Sequence, residues 1–312
     1  MFENGARGVV AAVLFCVLCA SLLGGAACGG GREKGDGGQE ADKKTDARPQ
    51  RIISLSPSAT EMLYGVGAFD RVVAVSNSCE YPPEVAKLPR VGGWNNPNLE
   101  QVAALRPDLV VFAGALAPFI KDKLDALGVR TLGLPDQSVE DALAAVEQVG
   151  RATGNEEEGR RLAAETRAKL DEVRALTSSL PRRRVLCVVD RVPGTLRDLY
   201  AATTGSFIVQ LVEAAGGQSI APPAAGGWGK IQKEAVVALD PEIIIDLMMQ
   251  KTEGGLAEDT QAVWRELPQV RAVREGRVYA VRDTSVLHPS QFVGDTARKF
   301  AELIHPEVFG KK

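Results

Sequence analysis

The chain has 312 residues, 45% hydrophobic and 25% charged, which is enough apolar material for one large or two modest globular domains. A net charge of -3 leaves no basic field for nucleic acid. Only two histidines are present, His288 and His305, so a three-histidine metal cage is excluded.

Residues 1–28 have the pattern of an export signal. Arg7 precedes an apolar run from Val9 to Leu23, and the small residues Gly24 to Ala27 lead to Cys28. Cys28, followed by Gly29-Gly30-Gly31, resembles the lipid-bearing cysteine of a bacterial lipoprotein, departing from that pattern only in Gly25, where an aliphatic residue is usual. An uncleaved membrane helix is the competing reading, and the apolar run is short for one. Residues 29–49 are Gly, Lys, Asp and Glu with almost nothing apolar, a composition that forms a flexible tether and no core. Of five cysteines, only Cys79 and Cys187 then remain for the folded part. They fall in different halves, which argues against a disulfide.

From Arg51 short apolar runs alternate with helical stretches, as in parallel-sheet α/β domains. Strands are predicted at 52–55, 72–75, 109–112 and 131–134. Ser58 and Glu61 are spaced as a capping box that starts a helix through Tyr64, ended by Gly65-Val66-Gly67. That Gly-x-Gly closes a helix instead of opening one after a strand, so it is no dinucleotide loop. Asn155 and Glu158 give a second capping signal, and helical spacing then runs without Gly or Pro beyond Gly159 until Pro181. About two dozen residues at 1.5 Å each make a strut of roughly 35 Å. Beyond it come a strand at 185–189, a helix near 206–214, a strand at 278–281 and a helix at 293–304. The domain plan is therefore an N-terminal lobe (50–151), a connecting helix (152–181) and a C-terminal lobe (182–312), each lobe of normal domain size.

One segment is written twice. Gly92-Gly93-Trp94, Glu100, Val102, Ala104, Leu105 and Pro107 recur as Gly226-Gly227-Trp228, Glu234, Val236, Ala238, Leu239 and Pro241, eight identities in twenty aligned positions. Such an echo points to two lobes built on related units.

The run Cys79-Glu80-Tyr81-Pro82-Pro83-Glu84, the following Gly93-Trp94, and Asn98 to Asp108 resemble the extracytoplasmic solute-binding proteins of ABC importers for cobalamin, ferric siderophores and haem. Ile53 to Glu61, Gly205-Ser206-Phe207-Ile208 with Ala215-Gly216-Gly217, and His305-Pro306-Glu307 agree. The likeness covers about residues 51–308 and is nearest the cobalamin-binding branch, on Tyr81-Pro82-Pro83, Trp94 and Trp228. It implies two Rossmann-like α/β lobes joined by one long rigid helix, a lipid-anchored protein outside the cytoplasmic membrane, and a permease dimer with its ATPase as partner. It implies binding, not catalysis, with the corrinoid as cargo; neither a metal site nor a cofactor is expected.

A flat, partly apolar ligand calls for aromatic faces on both lobes and a few hydrogen-bonding groups. By resemblance Trp94 and Trp228 flank the cleft, although either could instead be a loop anchor in the core. Glu100 and Glu234 are first-turn carboxylates favoured by the helix dipole; by resemblance each also meets arginines of the permease. Ser56 and Ser58 follow the first strand, where ligand crevices of open sheets lie, and capping alone also accounts for Ser58. Asn77 and Ser78 follow the second strand. Tyr200 could supply a ring with a polar tip. His288 could face the ligand or be a surface or cap residue. Trp264 is most simply core. An exported enzyme is the second class considered, but no nucleophile elbow, P-loop or His-containing ligand cluster occurs. Within the resemblance, a ferric siderophore or haem is the alternative cargo. A surface sensor or scaffold without transport is a third class.

Overall fold

The computed structural model describes residues 48–93, 96–247 and 258–309. The export signal, Cys28, nearly all of the tether and Trp94 lie outside the described residues. The body begins at Arg48, two residues before the predicted lobe boundary. Arg48 donates to Asn155 Oδ1 at 3.0 Å, and the Pro49 carbonyl accepts from Arg71 at 2.9 Å, so both residues are tied down.

The N-terminal lobe runs β1 (Ile52–Ser54), α1 (Pro57–Gly65), β2 (Val72–Val75), α2 (Leu99–Ala104), β3 (Leu109–Ala113), α3 (Ala117–Ala126), β4 (Thr131–Leu134) and α4 (Val139–Thr153). All four strands are parallel, in the order β2-β1-β3-β4. Parallel strands are covered on both faces, which is why Val72–Val75 and Leu109–Ala113 are continuously apolar, while the edge strand β4 carries Thr131 and an exposed Gly133. Ile52, Leu109 and Val111 pack into one core with Met62 and Val146. Their alternates Ile53, Val110 and Phe112 pack into another with Val102 and Leu116. All four predicted strands are found, with end points shifted by at most one residue.

After α5 (Glu156–Thr177) the second lobe runs β5 (Arg183–Asp190), β6 (Tyr200–Ala202), α6 (Phe207–Ala214), β7 (Gly217–Ser219), β8 (Trp228–Lys230), α7 (Lys233–Leu239), β9 (Ile243–Asp246), α8 (Thr260–Trp264), α9 (Arg271–Arg274), β10 (Val278–Ala280), α10 (Val293–Ile304) and α11 (Pro306–Phe309). Its sheet order is β10-β9-β5-β6-β8, with β7 also on β5. β5, β7, β9 and β10 are parallel, whereas β6 and β8 add an antiparallel extension with no counterpart among the described residues of the first lobe.

The 22-residue α5 spans roughly 33 Å at 1.5 Å per residue. Its Ala163 belongs to the first lobe's core, while Leu170 and Val173 belong to the second's. The helix therefore ties both cores together instead of merely spanning between them. It also packs along α4 and α10. Gly150 and Gly159 make the α4 contact possible, because a Cβ on Gly150 would come within 2.9 Å of Gly159 Cα.

Two predicted caps are replaced by other partners. Ser56, not Ser58, caps α1, its Oγ accepting from Ala59 N at 3.3 Å, and Glu61 is turned to a different task. Asn155 precedes α5 without capping it, because its Oδ1 accepts from Arg48 and from Arg71 at 2.7 Å.

The duplicated segment folds alike in its second part, as a short helix and a central parallel strand, α2 with β3 and α7 with β9, whereas the second copy's Trp228–Lys230 form β8. The likeness extends to backbone and partners. Arg106 and Asp240, each just before a proline, have φ of 46° and 40°. Asp108 accepts from Arg51 N at 2.9 Å, and Glu242 accepts from Arg184 N at 2.8 Å. The guanidinium of Arg51 donates to Leu105 O, and that of Arg184 to Leu239 O.

Candidate functional site

Four strand ends open toward one crevice. Ser56, Pro57 and Ser58 lie beyond β1, Ser78 and Glu80 beyond β2, Ala113 at the end of β3 with Ala115 and Leu116 beyond it, and Asp136 with Gln137 beyond β4. This is where open parallel sheets place their ligands. From the other lobe, Phe207, Trp228, Thr284, Leu287, His288 and Pro289 complete a cavity of about 560 Å³. Its size and mixed lining suit a small-molecule site.

The walls differ in character. Trp228 and Phe207 pack edge to face, with ring centroids 6.3 Å apart and planes at 74°. Phe207 is buried, while Trp228 is 38% exposed and free to offer its ring. The antiparallel extension puts it there, β8 pairing Trp228 with Ala202 of β6. Gly227, at φ +78°, leaves no room for a side chain, since a Cβ would come within 2.8 Å of Ser206 N. The opposite wall is mixed, with Ser56, Ser58, Ser78, Glu80, Asp136 and Gln137 beside Pro57, Ala113, Ala115 and Leu116. Ser56 Oγ and Ser58 Oγ are 3.4 Å apart, and the loop carrying Ser78 is held by Arg90, which donates to the Ser76 and Cys79 carbonyls at 2.9 and 2.6 Å. Beneath it, Thr60 Oγ1 contacts Cys79 Sγ at 3.1 Å, and burial pushes that thiol up.

A second cavity of about 340 Å³ adjoins the first through Glu80, Thr284 and His288. Glu61, Tyr81, Asp283, Phe292, Asp295 and Lys299 are among its other lining residues. Burial and the nearby Tyr64, Glu61 and Glu84 raise the Tyr81 phenol. Burial opposes the Asp283 charge, but hydrogen bonds from Lys299 and Ser285 hold its carboxyl below the usual range.

The seam between the lobes runs beside this second cavity. His288 Nδ1 lies 2.6 Å from Glu61 Oε1, and Gln291 Nε2 donates to the Glu61 carbonyl at 2.8 Å. Tyr64, Tyr81 and Phe292 form a ladder of edge-to-face rings, each step 5.3 Å, that crosses from one lobe to the other. Val139 N donates to Gln210 of α6 at 3.0 Å, giving a further crossing.

Of the residues singled out in the sequence, the fold brings Ser56, Ser58, Ser78, Trp228 and His288 to one cavity. Two others stand elsewhere. Asn77 is exposed, its backbone N–H donating to Gly92 O, and it does not line the cavity. Tyr200 sits opposite Lys230 in the β6–β8 ladder, outside the cavity lining. Trp94 lies outside the described residues. Glu100 and Glu234 are exposed in the first turns of α2 and α7, and neither has an ion pair among the described residues. Trp264 is fully buried and donates to Asp246 Oδ2 at 2.8 Å, as a core residue.

Phe207, Asp136, Gln137 and above all Glu61 were missed. Glu61 is 2% exposed, on a helix whose neighbouring positions Thr60, Met62 and Leu63 are also buried. A carboxylate within an otherwise inward-facing stretch was the available signal, and the capping-box spacing masked it. Among the described residues, no group of three or more His, Cys, Asp or Glu could hold a bare metal ion.

A known lipoprotein, the "Uncharacterized ABC transporter substrate-binding lipoprotein YvrC" of Bacillus subtilis, is 29% identical over 282 residues, covering 88% of this chain and 86% of that one. A "Vitamin B12-binding protein" of Pectobacterium atrosepticum is 27% identical over 225 residues, covering 70% and 77%. The crystal structure of a periplasmic haem-binding protein from Pseudomonas aeruginosa shares the fold, with a TM-score of 0.70 at 24% identity over 83% of this chain and 94% of that one. The family profile described as "Periplasmic binding protein" matches residues 52–284, and the chain belongs to that family, whose relatives named above include substrate-binding proteins of ABC transporters.

Proposed function

We propose that this chain is the lipid-anchored capture protein of an ABC importer, taking up cobalamin or a related corrinoid outside the cytoplasmic membrane and handing it to the permease dimer and its ATPase. The observation that carries the ligand class is the two-sided cavity. An exposed indole braced by Phe207 on one lobe faces serine hydroxyls at the strand ends of the other. A flat ring system with a polar rim is complementary to such walls. The vitamin B12-binding relative, aligned over 70% of the chain, supports the same class.

Trp94, at the matching place in the first copy, is proposed as the partner ring. Ser56, Ser58, Ser78 and His288 supply polar contacts. Glu100 and Glu234 are proposed to dock on the permease: both carboxylates are solvent-exposed and uncommitted among the described residues, one on each lobe. Single exposed ion pairs are weak, but two on separate lobes set orientation and speed encounter. Cys28 is the proposed anchor point. Among the described residues no helix is long and apolar enough to cross a membrane.

Calorimetry of residues 48–312 with cyanocobalamin, haemin and a ferric siderophore tests this reading. Saturable heat near one to one with the corrinoid is expected. Silence with the corrinoid but saturation with haemin or the siderophore would transfer the assignment to that cargo.

A further inference from the structure

The larger cavity carries negative charge with nothing to balance it. Glu80 and Asp136 both line it, one beyond β2 and the other beyond β4, and no lysine or arginine does so among the described residues. Asp136 is held there by neutral groups. Its Oδ2 accepts from Ala115 N at 3.1 Å and its Oδ1 accepts from Gln137 Nε2 at 2.7 Å. A carboxylate has about four lone-pair sites, so each oxygen keeps room for a further donor. Arg90 reaches the loop of Ser78 but donates to the Ser76 and Cys79 carbonyls and does not line the cavity. The adjoining smaller cavity continues the pattern. Its lining adds Glu61, Asp283 and Asp295, and its one lysine among the described residues, Lys299, is bound to Asp283 at 2.7 Å. His288 stands 2.6 Å from Glu61, so any charge on its ring is offset by that carboxylate. A cleft lined by one sign of charge between low-dielectric walls concentrates its field on whatever enters.

We infer that this cleft selects cargo by the charge of the cargo's rim, with Glu80 and Asp136 as the specificity-determining residues. Cargo edged with amide N–H groups, or carrying net positive charge, is accepted, and cargo edged with carboxylates is rejected. The inference rests on the proposed capture role and narrows its cargo. A macrocycle rimmed by amides offers donors to the two carboxylates while its faces stay apolar for Trp228. Haem brings propionates instead, which are acceptors of like charge, and no lysine or arginine in the described lining meets them. The same rule disfavours an anionic tris-catecholate ferric complex and accepts a cationic trihydroxamate one. The rule is therefore separable from the identity of the ring or chelate.

Matched probes separate charge from shape. Residues 48–312 are titrated calorimetrically with dicyanocobinamide, rimmed by amides, and with dicyanocobyrinic acid, the same ring with carboxylates in their place. Cyanide fills the metal's axial positions in both, so only the rim differs. A second pair sets the cationic ferrioxamine B against the anionic ferric enterobactin. Within the pair that binds, the member without negative charge should be tighter by about a hundredfold at low salt, the scale of a like-charge contact. The gap should shrink as ionic strength rises. Glu80→Gln with Asp136→Asn should close about tenfold of it by tightening the anionic member. Asp136→Asn retains a carbonyl oxygen for the Ala115 N–H. Equal affinities within a pair, or a gap indifferent to salt, overturn the charge rule and leave the capture role standing. A gap that the double variant leaves unchanged overturns the assignment to these two residues. Binding of the iron pair alone, with the cationic member ahead, supports the rule and removes the corrinoid from the proposed function. Absence of heat with every probe removes the capture role and the rule together. The wild-type comparison decides without any variant, so a misfolded variant cannot protect the inference.

Discussion

Glu61 and His288 are 227 positions apart in sequence, yet their side chains meet at 2.6 Å across the seam between the lobes. The pair has unequal ends. The Glu61 side chain is 3% exposed and its Oε2 has no partner among the described residues, whereas His288 keeps access to the cavity. Removing the histidine strands a buried carboxylate, while removing the glutamate leaves an imidazole that water can reach. His288→Ala should therefore lower thermal stability more than Glu61→Ala, with the larger loss about 1–3 kcal/mol. The double variant should lose less than the sum. Strictly additive melting shifts would show that the two residues are not coupled.

Trp228 and Trp264 give a matched contrast. Trp228 is exposed at the cavity, so Trp228→Ala should leave folding nearly intact and weaken ligand binding by about 2 kcal/mol, roughly thirtyfold. Trp264 is fully buried and hydrogen-bonded to Asp246, so Trp264→Ala should cost about 3–5 kcal/mol of stability. Calorimetry and thermal melts on both variants check this. Equal binding losses at equal stability would remove Trp228 from the site.

The proposed docking pair is tested by separating capture from delivery. Glu100→Ala with Glu234→Ala removes two exposed first-turn carboxylates, each a loss of only about 0.3–1 kcal/mol from the helix dipole. Ligand affinity should stay within error while transport by a reconstituted importer falls sharply. Undiminished transport would remove the docking role from both residues.

Cys79 and Cys187 are free and buried, one in each lobe, and burial pushes both thiols up. Neither should exist as reactive thiolate in the native protein. A thiol-reactive dye added to residues 48–312 should label no cysteine at neutral pH and both in denaturant. Labelling of one native cysteine would mean that its lobe opens.

The parts of this fold that follow from local periodicity were readable, and those that depend on long-range pairing were not. The strands at 72–75 and 131–134 and the helix at 293–304 match their predicted limits, the strands as short runs set off by their flanking sequence and the helix through its own 3.6-residue period. The three-residue β6, β7 and β8 carry no such signal, and they exist through pairing with β5 and with one another. Trp228 was therefore picked out by its glycine-led repeat, while the antiparallel extension that holds it over the cavity was invisible. Tyr200 went astray for the same reason, since pairing opposite Lys230 takes it away from the cavity lining. The capping errors share a different cause. Ser58–Glu61 and Asn155–Glu158 have the right spacing, but Glu61 and Asn155 are taken by His288 and by two arginines from elsewhere in the chain.

The second lobe holds a buried charge cluster that should dominate its response to acid. Arg191 donates through Nε to Asp246 Oδ2 at 2.8 Å and also bonds Glu258, and the arginine and Asp246 side chains are fully buried. Burial works against the Glu258 charge, but Arg191 and the Gly194 N–H hold its carboxyl below the ordinary range. A carboxyl lowered on folding adds stability that is fully present above its unfolded value, about 4.3, and that is lost as pH falls through the lower folded value. The melting temperature should therefore be steady from neutral pH to about 5 and drop below about 4. Arg191→Met leaves two carboxylates without their cation and should cost about 3–5 kcal/mol at pH 7. In that variant the carboxyl is no longer held down, so protonation relieves it and the stability gap to wild type should narrow as pH falls. Melts of both proteins across pH 3–8 measure this, and a gap that stays constant throughout would show that Arg191 does not hold the Glu258 charge.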